Sequence, residues 1–349
     1  MKRTARIRTR SRWLPAWAVA AVFGAVAGLA WLGADEPPEA KAAGKPPAAK
    51  EGAPAADKPV RLPYDELDGI RCWSAEWFRP WIRAEVAALR EKGKLVPKDQ
   101  LLKPPAPDRL PVAPATAVSD KPLTPVEIAD RLRASTVLVI ALNAKGHDNF
   151  GAGFAVADDL VVTNWHVFGL RPELPDVVAV DETGKVLPVT AVAAARPEAD
   201  LVVLRVRGKL PALPVAAKPP RPGEELWQMG HTHMSLWAFT AGMVRRYCVE
   251  NYVPDGAKKS VDKVVMDISH DVSKGSSGSA MVNDRCEVGG VYYRSRWYYQ
   301  DESNRISAGE GNNLVLKDRY VLFKRNMCIP LRSLRELLGL EAGPGGKRK

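Results

Sequence analysis

The 349-residue sequence is poor in cysteine, and this shortage excludes several classes of protein. Four cysteines are too few for a disulfide-rich scaffold, and no CxxC pair is present for a zinc ribbon or a thioredoxin-like redox site. Acidic residues are absent from positions 1–34, which carry six basic ones. The remaining 45 basic and 40 acidic residues reduce the net charge from +11 to +5, which gives little support for nucleic-acid binding. The content of 46% hydrophobic and 26% charged residues is typical of a globular protein and excludes disorder of the whole chain.

The amino terminus has the pattern of a membrane signal. After the basic residues, Leu14 to Ala34 is a run of 21 uncharged residues, which suits an uncleaved signal anchor better than a shorter signal peptide. The basic flank predicts that the terminus stays in the cytoplasm and that the rest of the chain is periplasmic or extracellular. The alternative is a long signal peptide that is cleaved after Ala27, which would release a secreted protein.

Two proline-rich stretches, 35–63 and 94–123, contain seven prolines each and are predicted to be linkers. Between them, 64–93 forms a short helical segment, with a helix expected from Pro80 to Leu89 and a proline in its first turn. Its indoles suggest either a docking or lid element or, as we favour, a helical patch that packs on the main domain. These indoles recur every four residues, at Trp73, Trp77 and Trp81.

The main domain is predicted to span residues 124–340. It begins with a capping box at Thr124 and a helix to about Arg133, followed by a buried strand, Thr136–Leu142. Short apolar runs separated by Gly, Pro, Asp and Asn then continue to Pro330, which indicates an all-β barrel or sandwich. A last helix follows, and residues 341–349 form a basic tail.

Three short segments carry groups that together suit nucleophilic catalysis. His166 follows a strand, Asp200 directly precedes one, and Ser277 lies in a loop between Gly275 and Gly278. A serine hydroxyl needs a base to remove its proton, and an aspartate can hold an imidazole in the required tautomer. The glycines allow a tight loop whose amides can bind an oxyanion. The order His, Asp, Ser is that of the chymotrypsin triad.

These segments resemble the motifs of trypsin-like serine peptidases, most closely the protease domain of the HtrA/Deg group. Thr163–Val167 resembles the histidine motif of that group, Ala199–Leu204 its aspartate strand, and Gly275–Ser279 its nucleophile loop. The resemblance implies two six-stranded β-barrels, at about 134–212 and 226–330, with a terminal helix and the active site between the barrels.

The same resemblance implies a serine endopeptidase that acts on proteins or peptides. The predicted catalytic residues are His166, Asp200 and Ser277, and the predicted oxyanion hole is formed by Gly275, Ser276 and Ser277. The alternatives are a catalytically silent peptide-binding or scaffold module on the same fold and, with less support, a nucleic-acid-binding protein. The expected partners are the substrates and, through the amino-terminal helix, the membrane. Homo-oligomerisation is left open.

The sequence also departs from the family pattern. Ser276 replaces the usual Asn or Asp, Ser279 replaces a glycine, and Ala280 stands where proline is common. No PDZ-like domain is expected after the terminal helix. The additional residues 293–321 fall in a region that lines the substrate cleft in this family, so they are expected to cover or narrow it.

The residues that would recognise the substrate give conflicting indications. Asp271 precedes the serine by six residues, where an acid favours Lys or Arg at P1 in trypsin-like enzymes. Arg294 and Arg296 would instead favour acidic side chains, so the P1 preference stays open. Tyr292 and Tyr293 are further candidates for substrate binding.

No metal or cofactor is predicted from the sequence. His231 and His233 lack a third ligand at a suitable spacing, and the proposed mechanism needs no metal. An exported domain permits disulfides, and the four cysteines allow three pairings, among which the sequence does not choose. The cysteines are Cys72, Cys248, Cys286 and Cys328.

Overall fold

A computed structural model shows how these segments are arranged. The predicted membrane span, most of the first linker, much of the second and nearly all of the basic tail lie outside the residues it describes. Within the described part of the chain, no helix is long and apolar enough to span a bilayer. The described residues are 61–101, 110, 121–145, 148–169, 173–252, 260–301, 306–309 and 319–341.

The segment before the main domain is a hairpin followed by a helix. Strands β1 (Tyr64–Leu67) and β2 (Ile70–Trp73) pair across a tight Asp-Gly turn in which both residues have positive φ, as a type I′ turn requires. Helix α1 (Ala75–Glu91) begins after Ser74, whose side chain accepts a hydrogen bond from the backbone N–H of Trp77.

Helix α1 therefore starts five residues earlier than the sequence predicted, and Pro80 lies inside it. The cap at Ser74 fixes the start, and the apolar stripe of the helix, which packs into the main core, keeps the helix intact around the proline. This arrangement agrees with the favoured interpretation of the segment as a helical patch on the main domain. The buried side chains of the stripe are Phe78, Trp81, Ile82 and Val86.

The first helix and strand predicted for the main domain are both present. A short helix α2 (Lys98–Leu101) precedes it, and helix α3 (Pro125–Ser135) starts at Thr124 with both bonds of the capping box formed. Strand β3 (Thr136–Leu142) has the predicted bounds. All seven of its residues are buried, because one face of β3 points into the barrel and the other lies under the helices.

Six strands close into the first barrel in the order β3-β4-β5-β8-β7-β6, which confirms the first predicted barrel. Thr163 at the end of β5 pairs with Val202 near the start of β8, so the end of one strand and the beginning of the other lie at the same end of the barrel. A one-turn helix, α4 (Trp165–Phe168), follows β5. Besides β3, the strands are β4 (Asp148–Ala157), β5 (Leu160–Thr163), β6 (Asp176–Val180), β7 (Val186–Arg196) and β8 (Leu201–Val206).

The remaining strands form a seven-stranded sheet in the order β12-β9-β10-β11-β15-β13-β14, where a six-stranded barrel was expected. The extra residues after Tyr293 lengthen β13 and β15 and add the short edge strand β14. Helix α5 (Leu331–Leu337) then returns to the first barrel. The seven strands are β9 (Glu225–Gly230), β10 (Ala238–Tyr252), β11 (Val261–Ile268), β12 (Ala280–Val282), β13 (Val288–Asp301), β14 (Ile306–Gly309) and β15 (Arg319–Pro330).

All four cysteines lie in the described part of the chain, and none is bridged to another. Cys72 is exposed on the hairpin, Cys248 is half-buried, and Cys286 and Cys328 are buried. The fold is therefore held by its core and its hydrogen bonds, and it uses none of the three possible disulfide pairings.

Candidate active site

The histidine lies on a turn that is fixed from two sides. The Asn164 side chain and the Trp165 N–H both donate to the backbone carbonyl of Asp200, at 2.9 and 3.1 Å. The Asn149 side chain on β4 donates to the carbonyls of His166 and Val167, at 3.0 Å each. These bonds hold α4 rigidly against the barrel end where β5 ends and β8 begins.

Asp200 binds His166 through both oxygens of its carboxylate. Oδ1 accepts from the His166 backbone N–H at 2.9 Å, and Oδ2 lies 2.8 Å from Nδ1. A carboxylate can only accept, so Nδ1 carries the proton and the lone pair of the neutral ring is on Nε2. Asp200 is 4% exposed and has left-handed backbone angles (φ 59°), which turn its side chain back toward the histidine. This pair is arranged as a base and its orienting group.

The serine loop is anchored to the first barrel. The Ala152 N–H on β4 donates to the Ser277 carbonyl at 2.7 Å. Gly278 has φ +90°, and a Cβ at this position would lie 2.1 Å from the Ala152 carbonyl oxygen, so only glycine fits there. The Ser277 hydroxyl donates to the Tyr293 carbonyl at 3.3 Å.

Gly151 on β4 separates the serine loop from the histidine turn. A Cβ at Gly151 would lie 2.6 Å from the carbonyl oxygen of Ser277 and 2.6 Å from a methyl group of Val167, the residue after the histidine. The structure thus brings the predicted Ser277 and His166 segments together on the two sides of one residue that has no side chain. This role could not be predicted from the local sequence, because Gly151 is close to the histidine segment along the chain but distant from Ser277.

The backbone amides of the loop differ in their availability. The Ser276 N–H donates to the Ser273 carbonyl at 3.0 Å, so it is already occupied. The N–H groups of Gly275 and Ser277 donate to no acceptor among the described residues. Gly275 has φ +98°, and a Cβ there would lie 2.2 Å from the His231 carbonyl oxygen. Of the three predicted oxyanion-hole residues, Gly275 and Ser277 are therefore the two with free amides.

A buried chain of hydrogen bonds supports the loop from below. The Ser279 hydroxyl donates to the Ser276 carbonyl at 2.6 Å and accepts from the Gln228 side chain at 2.8 Å, while Gln228 accepts from Thr240 at 2.9 Å. Ser279 therefore replaces the usual glycine with a side chain that fastens the loop. A buried glutamine in the apolar strand β9 was the signal that sequence reasoning missed.

The predicted substrate-binding residues differ in their surroundings. The Asp271 side chain is fully exposed and lies 3.5 Å from the Lys324 ammonium, so burial gives no support to its predicted position in a P1 pocket. Tyr292 is a core residue whose hydroxyl bonds to Ser295 at 2.6 Å. Tyr293 alone of the three contacts the nucleophile, through its backbone carbonyl.

His231 packs beneath the oxyanion loop as a structural residue. Its ring is fully buried, it makes an edge-on contact with Trp237, and its Nδ1 accepts from the Trp237 N–H at 3.1 Å. Burial lowers the pKa of His231 to about 4, so the ring is neutral at physiological pH. The neutral ring fills the space under the loop and its backbone carbonyl contacts Gly275.

A family model for the trypsin-like peptidase domain matches residues 151–291. This span runs from β4 to β13 and contains all three motif segments. This part of the chain therefore matches the trypsin-like peptidase domain, a domain class of serine endopeptidases. The resemblance inferred from the motifs is confirmed at this level.

Solved structures of proteases are similar to the chain at low sequence identity. The active form of the Rv3671c protease from M. tuberculosis is 19% identical with a TM-score of 0.47, over 70% of this chain and 93% of that chain. The serine endoprotease from Yersinia pestis is 16% identical with a TM-score of 0.44, over 63% of this chain and 67% of that one. A search of curated proteins found no significant match.

Proposed function

We propose that the chain hydrolyses peptide bonds with His166, Asp200 and Ser277 as a catalytic triad. The observation that carries this proposal is the two-point bond between Asp200 and His166, across Gly151 from the serine loop. In the first step the Ser277 oxygen attacks the peptide carbonyl carbon, and the hydroxyl proton passes to Nε2 of His166. Asp200 keeps the ring oriented and stabilises the imidazolium that forms.

The free amides of Gly275 and Ser277 bind the oxyanion that develops on the substrate carbonyl. The tetrahedral intermediate then collapses: the C–N bond breaks, and the imidazolium gives its proton to the leaving amine. Water attacks the resulting acyl-enzyme ester with His166 again as the base, which releases the carboxylic acid and restores the Ser277 hydroxyl.

We infer that the substrate lies along one free edge of β13. On the edge opposite β15, β13 pairs with β12 up to Val291 and with β14 from Trp297, and no described strand pairs with the residues between them. Tyr293, whose carbonyl contacts Ser277, lies in this gap. An extended peptide that adds to the edge would carry its scissile bond to the serine, as in β-strand addition.

We also infer that the seven-stranded sheet is the second barrel, because the β12–β13 pairing links six of its strands in a circuit.

Labelling with a fluorophosphonate probe tests the triad without a known substrate. We expect one adduct on Ser277, none in Ser277→Ala, and labelling about a thousandfold slower in His166→Ala. Ser260→Ala, at an exposed serine outside the site, is the matched control and should label like the unaltered protein. An adduct that survives Ser277→Ala would contradict the assignment. A folded protein that takes no label would instead favour the silent peptide-binding module.

We further propose that residues 14–34 anchor the enzyme in a membrane and that the catalytic domain is exported. The support is the uncharged run with its basic flank. The full-length chain should stay with membranes after alkaline carbonate extraction, whereas a chain that starts at residue 60 should be soluble. A mature protein that begins just after Ala27 would identify a secreted enzyme instead.

A further inference from the structure

Lys263 is a buried lysine that lies between the two sheets, close to the triad. It is on β11, where the residue is 9% exposed, and it extends from the second sheet to the first barrel. Its ammonium donates to the Ala199 carbonyl at 3.1 Å. The same ammonium lies 4.3 Å from the centre of the Tyr293 ring.

Both contacts join Lys263 to the catalytic groups. Ala199 directly precedes Asp200 and belongs to the turn that aims the carboxylate at His166. Tyr293 is the residue whose carbonyl accepts the Ser277 hydroxyl. One ammonium thus contacts both the backbone next to Asp200 and the side chain of the residue whose carbonyl accepts from Ser277.

The placement of this lysine is costly for folding alone. Removing an ammonium from water is unfavourable, and contacts with a carbonyl and an aromatic face offset this cost only in part. A methionine would fill the same space without the desolvation penalty. A charge kept in such a place therefore points to a function of the charge itself.

We propose that Lys263 is a positioning residue for catalysis, which fixes the Asp200 turn against the second sheet and places a positive charge beside the triad. The proposal rests on the triad proposed above. The charged groups that act on Lys263 are Asp200 and Glu198, which attract its ammonium, and Arg294, which repels it. Burial lowers the pKa of Lys263 to about 8, and Asp200 partly offsets this shift.

The charge of Lys263 should therefore be visible in how the labelling rate depends on pH. The labelling rate should rise as His166 loses its proton and fall again above about pH 8, as Lys263 loses its own. In Lys263→Met we expect the alkaline decline to disappear and the maximum rate to fall about tenfold, because the Asp200 turn is no longer held. Lys263→Arg, whose guanidinium stays charged at all of these pH values, should recover much of the rate and shift the decline to higher pH.

The experiment is the second-order rate of fluorophosphonate labelling between pH 6 and 10 in the full chain. Lys209→Met, which removes an exposed lysine, is the matched control and should keep the unaltered profile. A Lys263→Met protein with an unchanged rate and an unchanged alkaline limb would overturn the role of Lys263. In that case labelling at Ser277 still supports the triad, so the two proposals fail separately.

A second measurement does not depend on turnover or on the integrity of the nucleophile. In Ser277→Ala, the pKa of the His166 ring can be followed by NMR, since the chain has five histidines and the signal is assigned by its loss in His166→Gln. Adding Lys263→Met should raise this pKa, because a nearby cation disfavours the imidazolium. A His166 pKa that does not respond would refute the electrostatic effect of Lys263 even in a latent enzyme.

Discussion

At the scale of single residues, the site depends on positions without a side chain. Gly151 lies between the histidine turn and the serine loop, and Gly278 passes close to the backbone of β4. A methyl group at either position meets backbone or branched side chains that have little room to move. Strand β4 therefore limits how the serine loop and the histidine turn can be placed relative to each other.

Gly151→Ala should inactivate the enzyme while the barrel stays folded. The new Cβ would push the Ser277 carbonyl away from β4, and we expect labelling to slow about a hundredfold, the cost of a displacement near 1 Å. Gly153→Ala is the matched control on the same strand, since its Cβ would clash with Val161 and Val139 inside the barrel. Both variants should lose stability, but Gly153→Ala should keep most of its labelling rate. Equal rates in the two variants would disprove the role of Gly151.

Two buried histidines should make the fold sensitive to acid. Burial lowers the pKa of His231 and of His270 to about 4. The unfolded chain binds protons at these rings near pH 6.5, before the folded chain does, so their contribution is complete above that pH and is lost as the pH falls toward 4. Each of the two histidines should therefore lower the free energy of unfolding by about 2 kcal/mol between pH 7 and pH 5.

Urea unfolding at a series of pH values measures this effect. His270→Gln should remove about half of the histidine-dependent loss, whatever its effect on stability at pH 7. If the pH dependence of that variant equals the unaltered one, then His270 is not buried as a neutral ring.

Residues whose partners lie nearby along the chain, or within a motif, could be predicted from the sequence. His166, Asp200 and Ser277 were recognisable by their order and by the strands and glycines beside them. The left-handed conformation of Asp200 and the contact of Lys263 were not, since Lys263 binds the Ala199 carbonyl 64 positions away, in a turn of the first barrel. Such contacts depend on how the two sheets pack, which no local pattern encodes.

At the scale of elements, the hairpin before the main domain supports the oxyanion loop. Trp73 on β2 stacks on Trp237 at 4.3 Å, Trp237 bonds to the ring of His231, and the His231 carbonyl contacts Gly275. The spacing of the tryptophans predicted that this segment packs on the domain. It did not predict which loop the segment would contact, because Trp237 is more than 160 residues away.

Trp73→Ala should both destabilise the protein and slow its labelling. We expect the free energy of unfolding to fall by about 2 kcal/mol, because the stacking contact with Trp237 is lost. The labelling rate should fall as well, because His231 then supports Gly275 less firmly. Trp77→Ala is the matched control, since this half-buried indole stacks under the Arg61 guanidinium, away from the loop. Thermal unfolding and labelling rates of both variants give the comparison. An unchanged rate in Trp73→Ala would separate the hairpin from the active site.

At the scale of the whole molecule, helix α5 ties the end of the chain to the first barrel. Its leucines are buried, Glu336 pairs with Arg196 on β7, and Arg335 donates to the Ala216 carbonyl at 3.0 Å. The sequence predicted the helix from its apolar pattern, but it did not predict that the helix bridges the two sheets. Burial of Glu336 makes its ion pair more than a surface contact.

Glu336→Ala should therefore destabilise the protein, because it weakens the contact between helix α5 and the first barrel. Its loss leaves the Arg196 guanidinium without this buried partner, and we expect about 2 kcal/mol of destabilisation. Glu341→Ala removes an exposed partner of Arg335 and should change stability by less than about 0.5 kcal/mol. Urea unfolding of the two variants measures the difference, and equal values would show that the Arg196 pair adds no more than a surface pair does.

The bond from Ala152 to Ser277 also bears on when the enzyme gains its activity. The ribosome makes the first barrel early, but the serine loop takes its shape only against β4 and against β13, which in turn needs β15 near the end of the chain. In a growing polypeptide, the histidine and the aspartate can therefore pair before the serine loop has taken its shape. The fold therefore delays assembly of the proposed active site until synthesis of the chain is nearly complete.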